Sequence, residues 1–201
     1  MVQVKKDRIR ECIEASALHV FAIKGYQEAK ISDIAEKAGV SVGNIYRYYK
    51  NKEEIFNSVV PESLPAQMKY MIIGKIDAAK DGENAQSATL QDITGAFIRF
   101  ILENREKLTI IFSGTRGTRF ERLEAEMVDA LLSAVRHIYP QKYDAYIQKY
   151  GNDDMPRLIY RNLFRLYGEV MKRDTDPAEA ARELRQVNLY HFTGITTLFE
   201  A

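Results

Sequence analysis

Residues Ile31 to Lys52 read ISDIAEKAGVSVGNIYRYYKNK, two short helical segments forced to turn about Ala38-Gly39-Val40-Ser41. Ile34, Ala35 and Ala38 give the first segment one buried face, and Gly39 supplies the tight turn. Val40 and Ile45 anchor the second segment across it, and Ser41 stands where an N-cap accepts a backbone N–H. A turn of this kind fixes a steep angle between the helices, so the second protrudes. A protruding helix of this size can reach the floor of a DNA major groove.

The rest of the chain obeys the same periodicity. Apolar residues recur at three and four positions, and no alternating, β-branched run bounded by turns occurs, so the reading is all-α with about nine helices. A first helix is expected over about 6–24, ended by Gly25, followed by 31–38 and 42–48. A fourth opens near Asn51 and runs toward Ile76, with Pro61 and Pro65 imposing a kink or break between Val60 and Ala66. Beyond a loop at Asp81-Gly82-Glu83-Asn84, helices are expected at about 88–104 and 104–112, then from Leu123 to just before Pro140, and at 141–150. Ser113-Gly114-Thr115-Arg116-Gly117 reads as a connector, since it lacks the Gly-Lys-Ser/Thr of a phosphate loop. The last two helices carry Pro156 and Pro177 in their first turns, the latter behind a capping Asp176.

Charge divides the chain at Lys52. Residues 1–52 hold ten Lys or Arg against six Asp or Glu, and residues 53–201 hold nineteen against twenty-two, so +4 and −3 make the overall +1. The expected domains are therefore a basic helix-turn-helix unit, 1–52, and a second helical domain, 53–201. One cysteine and three scattered histidines offer neither a disulfide nor metal-ligand spacing. The apolar runs fall far short of the roughly 18–20 residues that cross a bilayer, and Glu11 and Glu14 interrupt the approach to the apolar Ala15–Ile23 stretch, so a cytoplasmic protein without membrane contact is expected. Cys12 is expected as a small buried group, and His137 and His191 as ordinary helix residues. No nucleophile, base and orienter can be grouped, so no catalytic residue, metal or cofactor is assigned and the chain does not read as an enzyme.

Over about residues 8–60 the sequence resembles the bacterial one-component repressors of the tetracycline-repressor (TetR) type. Phe21, Gly25, Ile34-Ala35, Ala38-Gly39-Val40-Ser41, Gly43-Asn44-Ile45-Tyr46 and Tyr49-Lys50-Asn51-Lys52-Glu53-Glu54 all fit that pattern; beyond Val60 only helix number and order do. The resemblance implies a homodimer that binds pseudo-palindromic operator DNA and is released by a small inducer held among the C-terminal helices. Two positions depart from it: Lys30 stands where a capping Thr is usual, and Pro61 interrupts the connecting helix.

Residue chemistry suggests who would touch DNA. Val42 and Gly43 open the second helix, where a small residue lets the backbone approach and the helix N-terminus attracts phosphate. Arg47 can read guanine and Asn44 adenine, while Tyr46, Tyr48 and Lys52 have the reach for phosphate and Lys30, Ser32 and Ser41 add to it. Ile45 and Tyr49 fall on the inner face and read as core. Phe97, Phe100, Phe112, Met127, Tyr160, Phe164 and Tyr167 are candidates for lining a cavity for an apolar or aromatic inducer, against the plainer reading as core. Leu163, Val170, Leu184, Val187, Phe192, Ile195 and Phe199 spread over more than one face of the last two helices, which suggests a four-helix dimer seam. Two recognition helices in a two-fold dimer must match major grooves about 34–36 Å apart or a multiple of that. A second reading keeps the DNA module but makes the C-terminal domain a platform for a protein partner. A third, a helical carrier or enzyme without DNA binding, is opposed by the basic N-terminus.

Overall fold

The computed structural model describes residues 2–81, 88–113 and 115–200. The helices are α1 (Val2–Glu28), α2 (Ile31–Ala38), α3 (Val42–Ile45), α4 (Lys52–Val59), α5 (Ser63–Ala78), α6 (Ala88–Glu103), α7 (Arg105–Ser113), α8 (Leu123–Ile138), α9 (Pro140–Tyr150), α10 (Asp154–Lys172) and α11 (Pro177–Glu200), with a 3-10 turn at Ala79–Asp81. No strand occurs among the described residues. Residues 82–84 of the expected loop, and Gly114 of the expected connector, lie outside them. The chain forms two compact units, 1–64 with 106–121, and 65–105 with 122–201. Lys52, the expected domain boundary, is the first residue of α4 and lies within the first unit.

The first unit is built around α1, which packs on α2 and α4. Gly25 interrupts α1 with φ 73° and ψ 167°, a conformation that glycine reaches without a Cβ clash. The chain nevertheless makes another helical turn, closed by the Ala29 N–H on the Gly25 carbonyl at 3.3 Å, so α1 runs past its expected end. Ile13, Ala17, Phe21, Ile34, Ile45, Ile55 and Phe56 are fully or almost fully buried. Phe56 meets Phe21 and Tyr26 edge-on, with centroids 5.6 and 5.0 Å apart, and Phe120 from the 106–121 segment closes on it at 6.0 Å. Pro61 breaks the helix as expected: α4 ends at Val59 and α5 begins at Ser63. The Val60 carbonyl, left without a helical partner, accepts from the Arg119 guanidinium at 2.8 Å.

In the second unit α11 is the common wall, in contact with α6, α9 and α10, while α8 packs on α9 and α10. Tyr160, Leu163, Phe164 and Tyr167 of α10 are buried, as are Phe97, Leu131 and Leu184, and the Tyr167 ring meets Phe97 with centroids 5.7 Å apart. Arg105 holds the end of α10: its guanidinium donates to the carbonyls of Met171 (2.9 Å), Thr175 (3.0 Å) and Arg173. Asp176 caps α11 through its carboxylate, which accepts the Ala178 and Glu179 N–H groups at 2.8 and 2.9 Å and is held below the usual carboxylate range chiefly by the Glu179 bond.

Candidate functional site

The turn between α2 and α3 is closed by backbone chemistry legible in its residues. Gly39 takes the left-handed conformation, φ 65° and ψ 30°. That lets the Val40 N–H reach the Ala35 carbonyl at 3.0 Å and the Gly39 N–H reach Glu36 at 3.1 Å, satisfying the end of α2. Ser41 then accepts the Asn44 N–H on its Oγ at 3.1 Å, capping α3. Although α3 proper is one turn, its bonding continues: Tyr46 N–H to Val42, Arg47 to Asn44, and Tyr48 and Tyr49 to Ile45, all within 3.2 Å.

This short helix has two faces. Ile45 and Tyr49 are buried, and the Tyr49 hydroxyl donates to Glu14 of α1. Burial and that carboxylate together push the Tyr49 hydroxyl up in pKa. Ser41, Val42, Gly43, Tyr46 and Arg47 face outward, with Asn44 and Tyr48 half-buried at the edges. Ser32 and Lys30 are exposed at the start of α2. Lys30 makes no side-chain cap; its backbone N–H donates instead to Asp33 at 3.0 Å, whose carboxylate is held below its ordinary pKa mainly by Lys24 at 2.9 Å.

Lys52, expected at phosphate, has a different place. Its Nζ donates to the carbonyls of Tyr26 (2.7 Å), Ala29 (2.9 Å) and Gln27 (3.1 Å), and lies 4.5 Å from the Tyr26 ring centroid. All three ammonium protons are engaged at the end of α1, and burial lowers the group's pKa. The structure brings other cations to the outer face: Lys6 and Arg10, one turn apart on α1, line a shallow cleft of about 160 Å³ with Asp7, Arg47 and Tyr48. Their four-residue spacing was visible in the sequence; their convergence with Arg47 was not. Cys12, expected buried, is exposed, because it lies off the α1 stripe of Ile13, Ala17 and Val20.

The second unit holds a cavity of about 390 Å³ lined by Ile72, Lys75, Ile76, Val135, Tyr139, Tyr160, Leu163, Tyr167, Asn188, His191, Phe192, Ile195 and Phe199, with Lys80, Lys142 and Glu200 also at its wall. Of the seven candidate ligand residues, Tyr160 and Tyr167 line it. Phe97, Met127 and Phe164 are buried core, Phe100 is half-buried in α6 outside the lining, and Phe112 belongs to the first unit. Of the residues expected at a dimer seam, four line this cavity. Leu163, Phe192, Ile195 and Phe199 face the cavity, Val170 and Leu184 are buried within the chain, and Val187 is half-buried. The exposed apolar residues of α10 and α11 are Met155, Leu158, Leu189 and Tyr190.

A polar group sits among these apolar walls. Asn188 Oδ1 accepts from the Tyr167 hydroxyl at 3.0 Å and from the Lys75 ammonium, while Asn188 Nδ2 donates to the Leu184 carbonyl at 2.8 Å. Burial lowers Lys75 to about 8. His191 is lowered to about 3, first by burial and then by the charge of Lys75, so it is a neutral imidazole at ordinary pH. Burial pushes Tyr160 and Tyr167 up, Tyr167 despite its bond to Asn188. Sequence reasoning missed Lys75, Asn188 and His191, each of which reads locally as an ordinary helix residue.

Residues 13–59 match the family model for bacterial regulatory proteins of the tetR family. The "Fatty acid metabolism regulator protein" of Bacillus subtilis (strain 168) is 42% identical over 60 residues, which is 30% of each chain. The "Uncharacterized HTH-type transcriptional regulator YfiR" of the same organism is 26% identical over 148 residues, 73% of this chain and 63% of the relative. These matches cover less than two thirds of either relative's length. Among solved structures, native NalD, described as the secondary repressor of the MexAB-OprM multidrug efflux pump in Pseudomonas aeruginosa, aligns over 94% of this chain and 96% of its own, at 20% identity and a TM-score of 0.48.

Proposed function

From the match of residues 13–59 to the model for bacterial regulatory proteins of the tetR family, we propose that this chain is a regulator of that kind, a ligand-responsive transcriptional repressor that binds a pseudo-palindromic operator as a homodimer. The observation that carries the reading is the α2–turn–α3 geometry: Gly39 and Ser41 fix the turn, Ile45 and Tyr49 bury one face, and Ser41, Val42, Gly43, Tyr46 and Arg47 present the other. In this reading Arg47 and Asn44 face base edges, while Lys30, Ser32, Ser41, Tyr46, Tyr48 and the backbone at Val42 and Gly43 meet phosphate and sugar. Lys6 and Arg10 extend the basic surface to the flanking phosphates. Residues 1–52 read DNA in this proposal, and residues 53–201 carry ligand binding and dimerisation through the outer faces of α10 and α11.

The cavity favours a small ligand over a protein platform, since its volume falls within the range of small-molecule sites, about 300–1,000 Å³. Its wall includes Ile72, Lys75 and Ile76 of α5, whose first two residues, Ser63 and Leu64, belong to the DNA-binding unit. Ligand entry would act on operator affinity through that helix, with the Val60–Glu62 break as its hinge. A coupling of about 1–3 kcal/mol weakens binding roughly 5–150-fold.

The test is selection of bound sequences from randomised duplex DNA, followed by fluorescence anisotropy across a salt series. A palindromic winner whose affinity falls steeply with salt is expected, each neutralised phosphate adding about −0.9 to the log–log slope. Binding no better than non-specific by folded protein at low salt overturns the reading.

A further inference from the structure

We propose, resting on the reading of the second unit's cavity as the ligand site, that it selects molecules with an apolar body and a single carboxylate, seated on the Lys75 ammonium. The walls determine the body: Ile72, Ile76, Val135, Leu163, Ile195 and Phe199 offer no hydrogen bond from their side chains. Lys75 determines the head. Among the described residues its hydrogen-bond acceptor is Asn188 Oδ1, and no described carboxylate lies within ion-pair distance of it. Asn188 is itself fixed, by the Tyr167 hydroxyl on its oxygen and the Leu184 carbonyl on its amide nitrogen. It therefore holds the ammonium in place without neutralising it, and two ammonium protons have no protein acceptor among the described residues.

A cation removed from water in this way gains most from an anion delivered by the ligand. The neutral His191 ring, also in the wall, has one N–H to give a second carboxylate oxygen. Glu200, the acid in the lining, is paired with Lys142 at 2.9 Å and so does not offset Lys75. A cationic ligand would meet Lys75 with like charge, and a neutral one could accept its protons without balancing its charge. The lowered pKa of Lys75 follows from the same desolvation and leaves the group protonated at neutral pH.

Isothermal titration of the full-length protein with matched pairs, dodecanoate against dodecanol and 2-naphthoate against 2-naphthol, tests the proposal. At pH 7 at least one acid should bind about tenfold or more tighter than its alcohol, as a charge-assisted hydrogen bond predicts. Lys75→Met should erase that preference while keeping alcohol affinity, which also shows the variant is folded; Lys75→Arg should keep the preference. Equal affinity for acid and alcohol, or a preference that survives in Lys75→Met, overturns the carboxylate assignment and leaves the ligand-cavity reading standing. Failure of every acid and alcohol to bind overturns both.

Discussion

Lys52→Met separates a lysine that holds the fold from one that meets DNA. Lys52 donates at 2.7, 2.9 and 3.1 Å to three carbonyls at the end of α1, and methionine keeps the stem but removes every donor. One hydrogen bond to a charged group contributes about 1.5–3 kcal/mol. Three share one ammonium here, its desolvation offsets part of the gain, and water can reach part of the site, so the expected loss is about 2–3 kcal/mol. For a chain of this length that is a fall of roughly 4–12 °C in Tm. The assay is thermal and urea unfolding of both proteins, paired with the salt dependence of operator binding at a temperature where both are folded. Stability should fall while the log–log slope stays unchanged, because Lys52 releases no counterion. Lys30→Ala should do the reverse, keeping stability and losing about 0.9 of slope. Unchanged stability in Lys52→Met together with a reduced slope would refute the argument and return Lys52 to the phosphates.

Gly39→Ala should cost about 1–2 kcal/mol and weaken DNA binding: the added Cβ meets nothing within 4 Å, so the loss is the strain of φ 65°, read by urea unfolding. Asn51→Ala removes the cap that accepts the Glu54 N–H at 2.8 Å and should cost about 1 kcal/mol by the same measurement. Leu158→Glu combined with Leu189→Glu, both on exposed faces, should give a monomer by light scattering that keeps cavity-ligand affinity and loses operator binding; an intact dimer would refute the placing of the seam. Acid affinity should be level from about pH 6, where the ligand's own carboxylate is ionised, to near 8 and fall above it, as Lys75 loses the proton that the carboxylate needs. Facing Lys75 in the lining, His191 stays neutral and Tyr160 and Tyr167 stay protonated; Tyr139, Lys80, Lys142 and Glu200 complete the wall, and Lys75→Met controls for them by abolishing the break near 8.

What the sequence revealed was local chemistry with one outcome. Gly25 and Gly39 adopt positive φ, Ser41 and Asp176 cap, and Pro61 breaks a helix, because each acts through neighbours a few residues away. The cavity was not legible in that way. Lys75 and Asn188 lie 113 positions apart, and nothing near either one distinguishes a buried lysine from a solvated one. Lys52 misled for a related reason: its charge and reach fit phosphate, and only the return of α1 to the start of α4 puts three carbonyls within its grasp.

The excess apolar character of α11 shows the same limit and turns it to use. Read along the sequence, its apolar residues spread too widely for one buried stripe, and a dimer seam was the economical explanation. In the structure the helix presents two stripes, one along the cavity and one exposed. Asn188, His191, Phe192, Ile195 and Phe199 recur at three and four residues along the cavity wall, while Leu189 and Tyr190 begin a second, exposed line that continues through Thr193, Gly194 and Thr197. A helix is stiff across its diameter, so a ligand that displaces one stripe displaces the other. If the outer stripe is where a second copy packs and the cavity holds a ligand as proposed, ligand occupancy and the spacing of two recognition helices would be coupled through α11 as well as through α5. That coupling needs no residue to touch both ligand and DNA.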